Sequence, residues 1–279
     1  MTENINIFLF KSEGLTENFG ECLCKKVIHE MGFSLDNYSN VRRLPGYPQV
    51  KEVMTGIGGC LNTNIYELYI GDHIEKWYVW GSGLDCALRP HLKLPKKILD
   101  KCIITMLRGP ETKEFYNIEG DILLADPGYL ASYFFKFPPE EKKNVFVQFY
   151  YDKEVNRKIN GVDVYLSSLL QPDVDKSFFS VLKNISNANI VLTGSMHIAI
   201  ATHSYGVPFA IVSKEGRDSA TEHKWYDTLL NIGLEKKDIW LCNSVQEGWE
   251  WWNSIKDKIR PITKEYQEQI IRAFPFEKE

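Results

Sequence analysis

Residues 191–212 read VLTGSMHIAIATHSYGVPFAIV. An apolar run, Ile190-Val191-Leu192, ends at Thr193-Gly194. Ser195-Met196-His197 then opens a helical pattern, and Gly206 and Pro208 precede a second apolar run. That order predicts strand, loop, helix, strand. It sets a hydroxyl and an imidazole at a helix N-terminus, just past the carboxyl end of a strand. In an open α/β sheet ligands bind at that edge, and a helix N-terminus favours anions. A histidine that begins a helix is, by itself, more often a cap or a surface residue. Its company decides otherwise, because four other predicted strands end in the same kind of glycine-containing turn.

Those strands are Val53–Gly59 (VMTGIGG), Trp77–Trp80 before Gly81-Ser82-Gly83, Ile103–Leu107 before Arg108-Gly109-Pro110, and Ile122–Leu124 before Asp126-Pro127-Gly128. Ile5–Phe10 reads as a first strand, and Leu23, Val27, Ile28 and Met31 as a helix that Gly32 ends. Such alternation of apolar runs with helical segments predicts a mostly parallel sheet. Phe137–Asn144 (FPPEEKKN) is the linker candidate. A second series follows: Val145–Phe149, a run near Val162–Leu166, a helix near Phe178–Ile185, the opening segment, Phe209–Val212 and Ile239–Leu241. Val245–Ile259 reads as a tryptophan-rich helix, and Pro261–Phe274 as another with proline in its first turn. The expected organisation is α/β: a domain over 1–137, a second over 145–260, and a helix and tail over 261–279. Two such halves leave a cleft between facing strand ends, which suits an enzyme that joins a donor to an acceptor.

At 279 residues the chain is comfortable for two domains. Its net charge of −4 argues against bulk electrostatic binding to nucleic acid. An anionic ligand would need a local basic cluster. The six cysteines form no C-x-x-C pair, and Cys22 and Cys24 are one residue apart. Reduced, mostly buried thiols in a cytoplasmic protein are expected. Ile5–Phe10 is too short for a signal peptide, and no stretch approaches the ~20 apolar residues of a membrane span.

Each candidate residue has a plainer reading. Thr55-Gly56-Ile57-Gly58-Gly59 is half of a dinucleotide fingerprint, with Leu61 where the third glycine should stand. It is either a turn that admits another ligand or a tight structural turn. Asp85 serves as a base toward a hydroxyl or as a turn cap. Arg108 beside a helix start is a carboxylate or phosphate receptor, or a surface residue paired with Glu111. Asp126 shapes the cleft floor or acts as a carboxylate. Lys214 and Arg217 follow the Phe209–Val212 strand and either supplement Arg108 or are solvated. A Ser-His-Asp triad has no fixed spacing here. His197 and His203, six apart, do not share a helix face as metal ligands would.

Taken in order, these segments resemble the polysaccharide pyruvyl transferase family from about residue 4 to about residue 260. The residues that carry it are Asn18-Phe19-Gly20-Glu21, TGIGGCL, VWGSGLD, ITMLRGPET, LLADPGYL and TGSMHIAIATHSYGVPFAIV. The resemblance implies two Rossmann-like domains facing across a cleft, a GT-B-like arrangement. It implies transfer of a pyruvyl group from phosphoenolpyruvate to two hydroxyls of a sugar, closing a cyclic ketal. His197 would be the acid, with Arg108 and Asp85 completing the catalytic set. Gly194, Ser195, Met196, His197, Arg108, Lys214 and Arg217 would bind the donor; Asn18, Glu21, Gly58, Ser82 and Asp85 the acceptor. No metal or resident cofactor is implied, since phosphoenolpyruvate is a co-substrate. The acceptor would be a sugar or lipid-linked glycan of a surface polysaccharide or exopolysaccharide. That places the protein in the cytoplasm, with at most peripheral contact at the inner membrane face. Two other readings stand beside it. One is a sugar-nucleotide-dependent glycosyltransferase of the same architecture. The other is a non-catalytic binder of a glycan or partner, favoured by Ser195 and Ile198, which replace the family's usual arginine and small residue.

Overall fold

The computed structural model describes residues 7–8, 17–34, 51–70, 72, 74–84, 93–148, 158–170, 173–212 and 219–277. Two five-stranded sheets organise them, and every strand pair in both is parallel. The first sheet runs β1 (Ile7–Phe8), β2 (Glu52–Thr55), β3 (Lys76–Trp80), β4 (Cys102–Leu107), β5 (Leu123–Leu124), in chain order. The second is β10 (Leu241–Cys242), β9 (Phe209–Val212), β8 (Ala188–Thr193), β6 (Lys143–Gln148), β7 (Val164–Ser167). The α/β fold with parallel sheets predicted from the alternating pattern is therefore present.

Helices pack on these sheets. α1 (Phe19–Glu30) starts where the Asn18 carboxamide accepts the Glu21 amide, and it gives way to Gly32 at φ 86°, the left-handed position glycine fills without strain. α2 (Thr63–Ile65), α3 (Lys96–Leu99), α4 (Pro110–Phe115) and α5 (Ala131–Phe134) are short. α6 (Val174–Ser186) buries Phe178, Val181, Leu182 and Ile185, a stripe at 3.6-residue spacing. α7 (Met196–Ser204) is buried nearly all round, because MHIAIATHS carries apolar or small residues on every face. It touches α1, α5, α6, β8, β9 and α8 (Ser219–Asn231).

The core follows from that placement. One continuous cluster runs from Met54, Trp80 and Met106 of the first sheet, through α1 and α7, to Val147, Leu192 and Ile211 of the second. A smaller cluster with Val53, Trp77 and Val79 covers the other face of the first sheet. Neighbours such as Val53 and Met54 serve opposite clusters because strand side chains alternate.

Two helix boundaries differ from the sequence expectation. α9 spans Val245–Ile255 rather than reaching 259, and a turn closes after it as the Lys258 amide meets the Ile255 carbonyl. Trp251 turns inward, donating its indole N–H to the Asp238 carbonyl, while Trp249 and Trp252 are half-buried. α10 spans Lys264–Arg272, and Thr263, not Pro261, caps it by accepting the Tyr266 amide; a side-chain acceptor meets an otherwise orphan N–H. α10 is built onto the first sheet. Trp80 Nε1 donates to the Ile270 carbonyl at 3.0 Å, the Tyr266 hydroxyl to the Leu124 carbonyl at 2.6 Å, and Gln267 to the Tyr129 carbonyl at 2.7 Å. Among the described residues no helix is long and apolar enough to cross a membrane.

Candidate active site

The turns after β2, β3, β4 and β5 meet the N-termini of α1 and α7 and one flank of α8. Two of these turns are stitched together first. Gly58, at φ 111°, offers its carbonyl to the Ser82 hydroxyl at 3.2 Å and to the Gly83 amide at 2.9 Å. Ser82 is fully buried. Gly58 and Ser82, both expected at the acceptor side, therefore hold the two glycine turns in register with each other.

Arg108 leaves the end of β4 into the protein rather than toward solvent. Its side chain is fully buried, with Nε on Asp227 Oδ2 at 3.1 Å and Nη2 on the Leu84 carbonyl at 2.7 Å. A Cβ on Gly83 would stand 2.5 Å from its Cζ, so only glycine lets that turn pass over the guanidinium. Asp227 also accepts the Thr112 amide at 3.0 Å and the Thr112 hydroxyl at 2.6 Å. Paired charges survive burial when both are also hydrogen-bonded. Glu111, the partner foreseen for Arg108, instead pairs with Lys236 at 2.7 Å. One donor of the guanidinium, Nη1, is buried with no partner among the described residues.

His197 stands in the first turn of α7, 14% exposed. Its ring lies against the α1 backbone at Gly20. Nε2 is 3.7 Å from Asp126 Oδ2, too far for a hydrogen bond, and both atoms are buried without partners among the described residues. Asp126 Oδ1 accepts the Gly128 amide at 2.7 Å. Burial pushes the Asp126 carboxyl up to about 7, opposed by the Gly128 bond and Arg108. Burial, then the charge of Arg108, pushes His197 down to about 3. At neutral pH the imidazole is thus neutral, and any proton this pair holds sits on the carboxyl, which titrates close to neutrality.

Glu21 belongs to the same place. It sits one residue from Gly20, and its Oε2 is buried without a partner among the described residues. Burial pushes it up to about 8, against the pull of its amide bond and of Lys224, whose own ammonium burial disfavours. Burial likewise pushes the Cys60 thiol up to about 12 and that of Cys24 higher still, so neither is a nucleophile at neutral pH. Asn18 is the α1 cap, and Met196 is packed in the core. The Ser195 side chain does not cap α7, and its amide donates to Thr193 Oγ1 at 2.9 Å. Gly194 links that strand end to the helix. Asp85, Lys214 and Arg217 lie outside the described residues.

The structure thus gathers Glu21, Arg108, Asp126 and His197, and adds Lys224 and Asp227, which sequence reasoning did not single out. The available signal was the lone acid in the α8 stretch WYDTLL, a charged residue on an otherwise apolar turn. Among the described residues no cluster of His, Cys, Asp and Glu could hold a metal ion.

The chain can now be set beside known proteins. No curated protein matches it. It is similar to a crystal structure described as a functional uncharacterized protein from Klebsiella pneumoniae subsp. pneumoniae, at 15% identity and a TM-score of 0.49, over 80% of this chain and 88% of that one. The model of a family described as polysaccharide pyruvyl transferase matches residues 78–214, from within β3 to just past β9. That match spans Arg108, Asp126 and His197.

Proposed function

We propose that the protein transfers a pyruvyl group from phosphoenolpyruvate to two hydroxyls of a glycan acceptor, forming a cyclic ketal and releasing phosphate. One observation carries this reading beyond the family match. Four buried polar atoms without partners among the described residues, on Glu21, Arg108, Asp126 and His197, are gathered where the strand ends meet the α1 and α7 N-termini. Unpaired buried polar groups are costly and concentrate where a ligand completes them.

In this mechanism the donor's negative groups take the Arg108 Nη1 and the first-turn amides of α7, where the helix end and a fixed guanidinium favour anions. That added negative charge raises the His197 pKa and draws the proton from Asp126 to the imidazole. His197 delivers it to the methylene carbon of the donor, which becomes a methyl group and leaves a cationic carbon at C2. The first sugar hydroxyl attacks C2 and gives its proton to Asp126, left ionised by that relay. The C2–phosphate bond then breaks, the second hydroxyl closes the ring, and its proton leaves on the phosphate. Donor plus diol equals ketal plus hydrogen phosphate, and the proton on Asp126 restores the Asp126–His197 pair. A positioned acid contributes roughly 10²–10⁴-fold to such a step.

The two sheets would serve as the halves of a GT-B-like pair, the first holding the acceptor and the second, through α7, the donor. Lys214, Arg217 and Asp85 remain proposed ligands of the donor and acceptor sides. No metal or resident cofactor is invoked. The enzyme would act in the cytoplasm, touching the membrane only through a lipid-linked acceptor.

The test is phosphate release from phosphoenolpyruvate in the presence of glycan acceptors, with mass analysis of the product. A product heavier by one pyruvyl ketal, made by the wild type and not by His197→Gln, supports the reading. Saturable binding of a sugar nucleotide with no binding of phosphoenolpyruvate would replace it with glycosyl transfer.

A further inference from the structure

A second cavity, of about 710 Å³, opens between α4, β5, α8 and α10. It shares no lining residue with the group around His197. Its wall is apolar where Leu123, Leu124 and Leu230 meet, and two arginines, Arg260 and Arg272, stand on its rim. Both arginines are exposed, and neither makes an ion pair among the described residues. Asp121 is the one carboxylate in the lining. In a chain of net charge −4, two uncommitted guanidiniums over one cavity mark a local reversal of sign.

The cavity is framed rigidly. The Arg260 amide donates to the Ile232 carbonyl at 2.7 Å, and its carbonyl meets His203 Nε2 at 2.9 Å. Arg260 therefore projects from a backbone held on both sides. Arg272 occupies the last turn of α10, the helix pinned to β5 by the Tyr266–Leu124 hydrogen bond. Asn231 closes the floor, its amide reaching the Tyr266 hydroxyl at 3.4 Å and the Arg108 carbonyl at 3.3 Å.

We propose that this cavity is a second ligand site, for an organic phosphomonoester. The two guanidiniums take the dianionic head, for which their planar forks are suited, and the leucine wall takes an apolar or ring-shaped body. The proposal is independent of pyruvyl transfer, since it uses none of that machinery.

The probe is phenyl phosphate, titrated by calorimetry into the full chain, with inorganic phosphate as the body-less control. Saturable binding is expected, at least tenfold tighter for phenyl phosphate than for inorganic phosphate. The Arg260→Gln/Arg272→Gln double variant should lose at least tenfold in affinity. Because both side chains are exposed, its melting curve should match the wild type. Unchanged affinity in the double variant, or no saturable binding to the wild type, overturns the site. Equal affinity for the two probes overturns the role of the leucine wall.

Discussion

A Cβ added to Gly20 would stand 2.1 Å from Nδ1 of His197. The first turn of α1 and the first turn of α7 are therefore in direct contact, ring on backbone. Gly20 carries no positive φ; its requirement is space alone. This explains a glycine at the second position of a helix, where it is otherwise a poor former. It also ties the Asn18-Phe19-Gly20-Glu21 turn to a histidine far along the chain.

Gly20→Ala should displace the imidazole and cost about 1–3 kcal/mol, the usual range for overpacking. Turnover should fall with it. In the double variant Gly20→Ala/His197→Ala the two changes should be non-additive, because the new methyl enters the space the ring has left. Thermal melts of the four members of this cycle measure the coupling. Strict additivity would mean that the ring and Gly20 do not meet.

Asp227→Ala should destabilise the fold by about 3–5 kcal/mol, the cost of leaving a buried charge unpaired. It strips Arg108 of the carboxylate paired with it and leaves the Thr112 amide and hydroxyl without their acceptor. Asp227→Asn, which keeps an acceptor of the same shape, should cost less. Denaturant unfolding of both variants ranks them, and equal costs would show that the retained carbonyl acceptor contributes nothing beyond the lost charge.

Asp126 gives a pH prediction with a definite sign. Its carboxyl titrates near 3.8 when unfolded and near 7 when folded, so between those values the native state binds more protons. Its contribution to stability is complete below about pH 4 and is lost as pH rises through about 7. His197 and His203, held down to about 3 and about 4, act oppositely and lose stability as pH falls below 6.5. Asp126→Asn should therefore gain on the wild type as pH rises from 4 to 7, while keeping the Gly128 bond through its carbonyl oxygen. Chemical denaturation at several pH values measures the difference, and parallel curves would sink the assignment.

Tyr266→Phe should loosen α10 from the first sheet. It removes the 2.6 Å bond to the Leu124 carbonyl and the acceptor of Asn231. A loss of about 1–3 kcal/mol is expected where a buried group loses its partner. Hydrogen exchange of the α10 amides should accelerate more than that of β8 and β9, and uniform acceleration would argue against a local anchor.

The parallel α/β character was legible in the chain because it rests on local pattern. Apolar runs at 53–55, 77–80, 103–107 and 190–192 alternate with helical spacing, and glycine turns punctuate them. His197 at a helix start and Gly32 past a helix end follow from neighbours within four residues. What the tertiary structure decided lies in contacts across the chain. Arg108 finds Asp227, 119 residues away, instead of adjacent Glu111, because β4 aims the guanidinium inward and α8 packs over it. Trp80 finds the Ile270 carbonyl 190 residues on, so the last helix completes the first sheet. The proton of the Asp126–His197 pair was equally beyond local reading. Desolvation sets it, and burial is a property of everything packed around a group rather than of its place in the sequence.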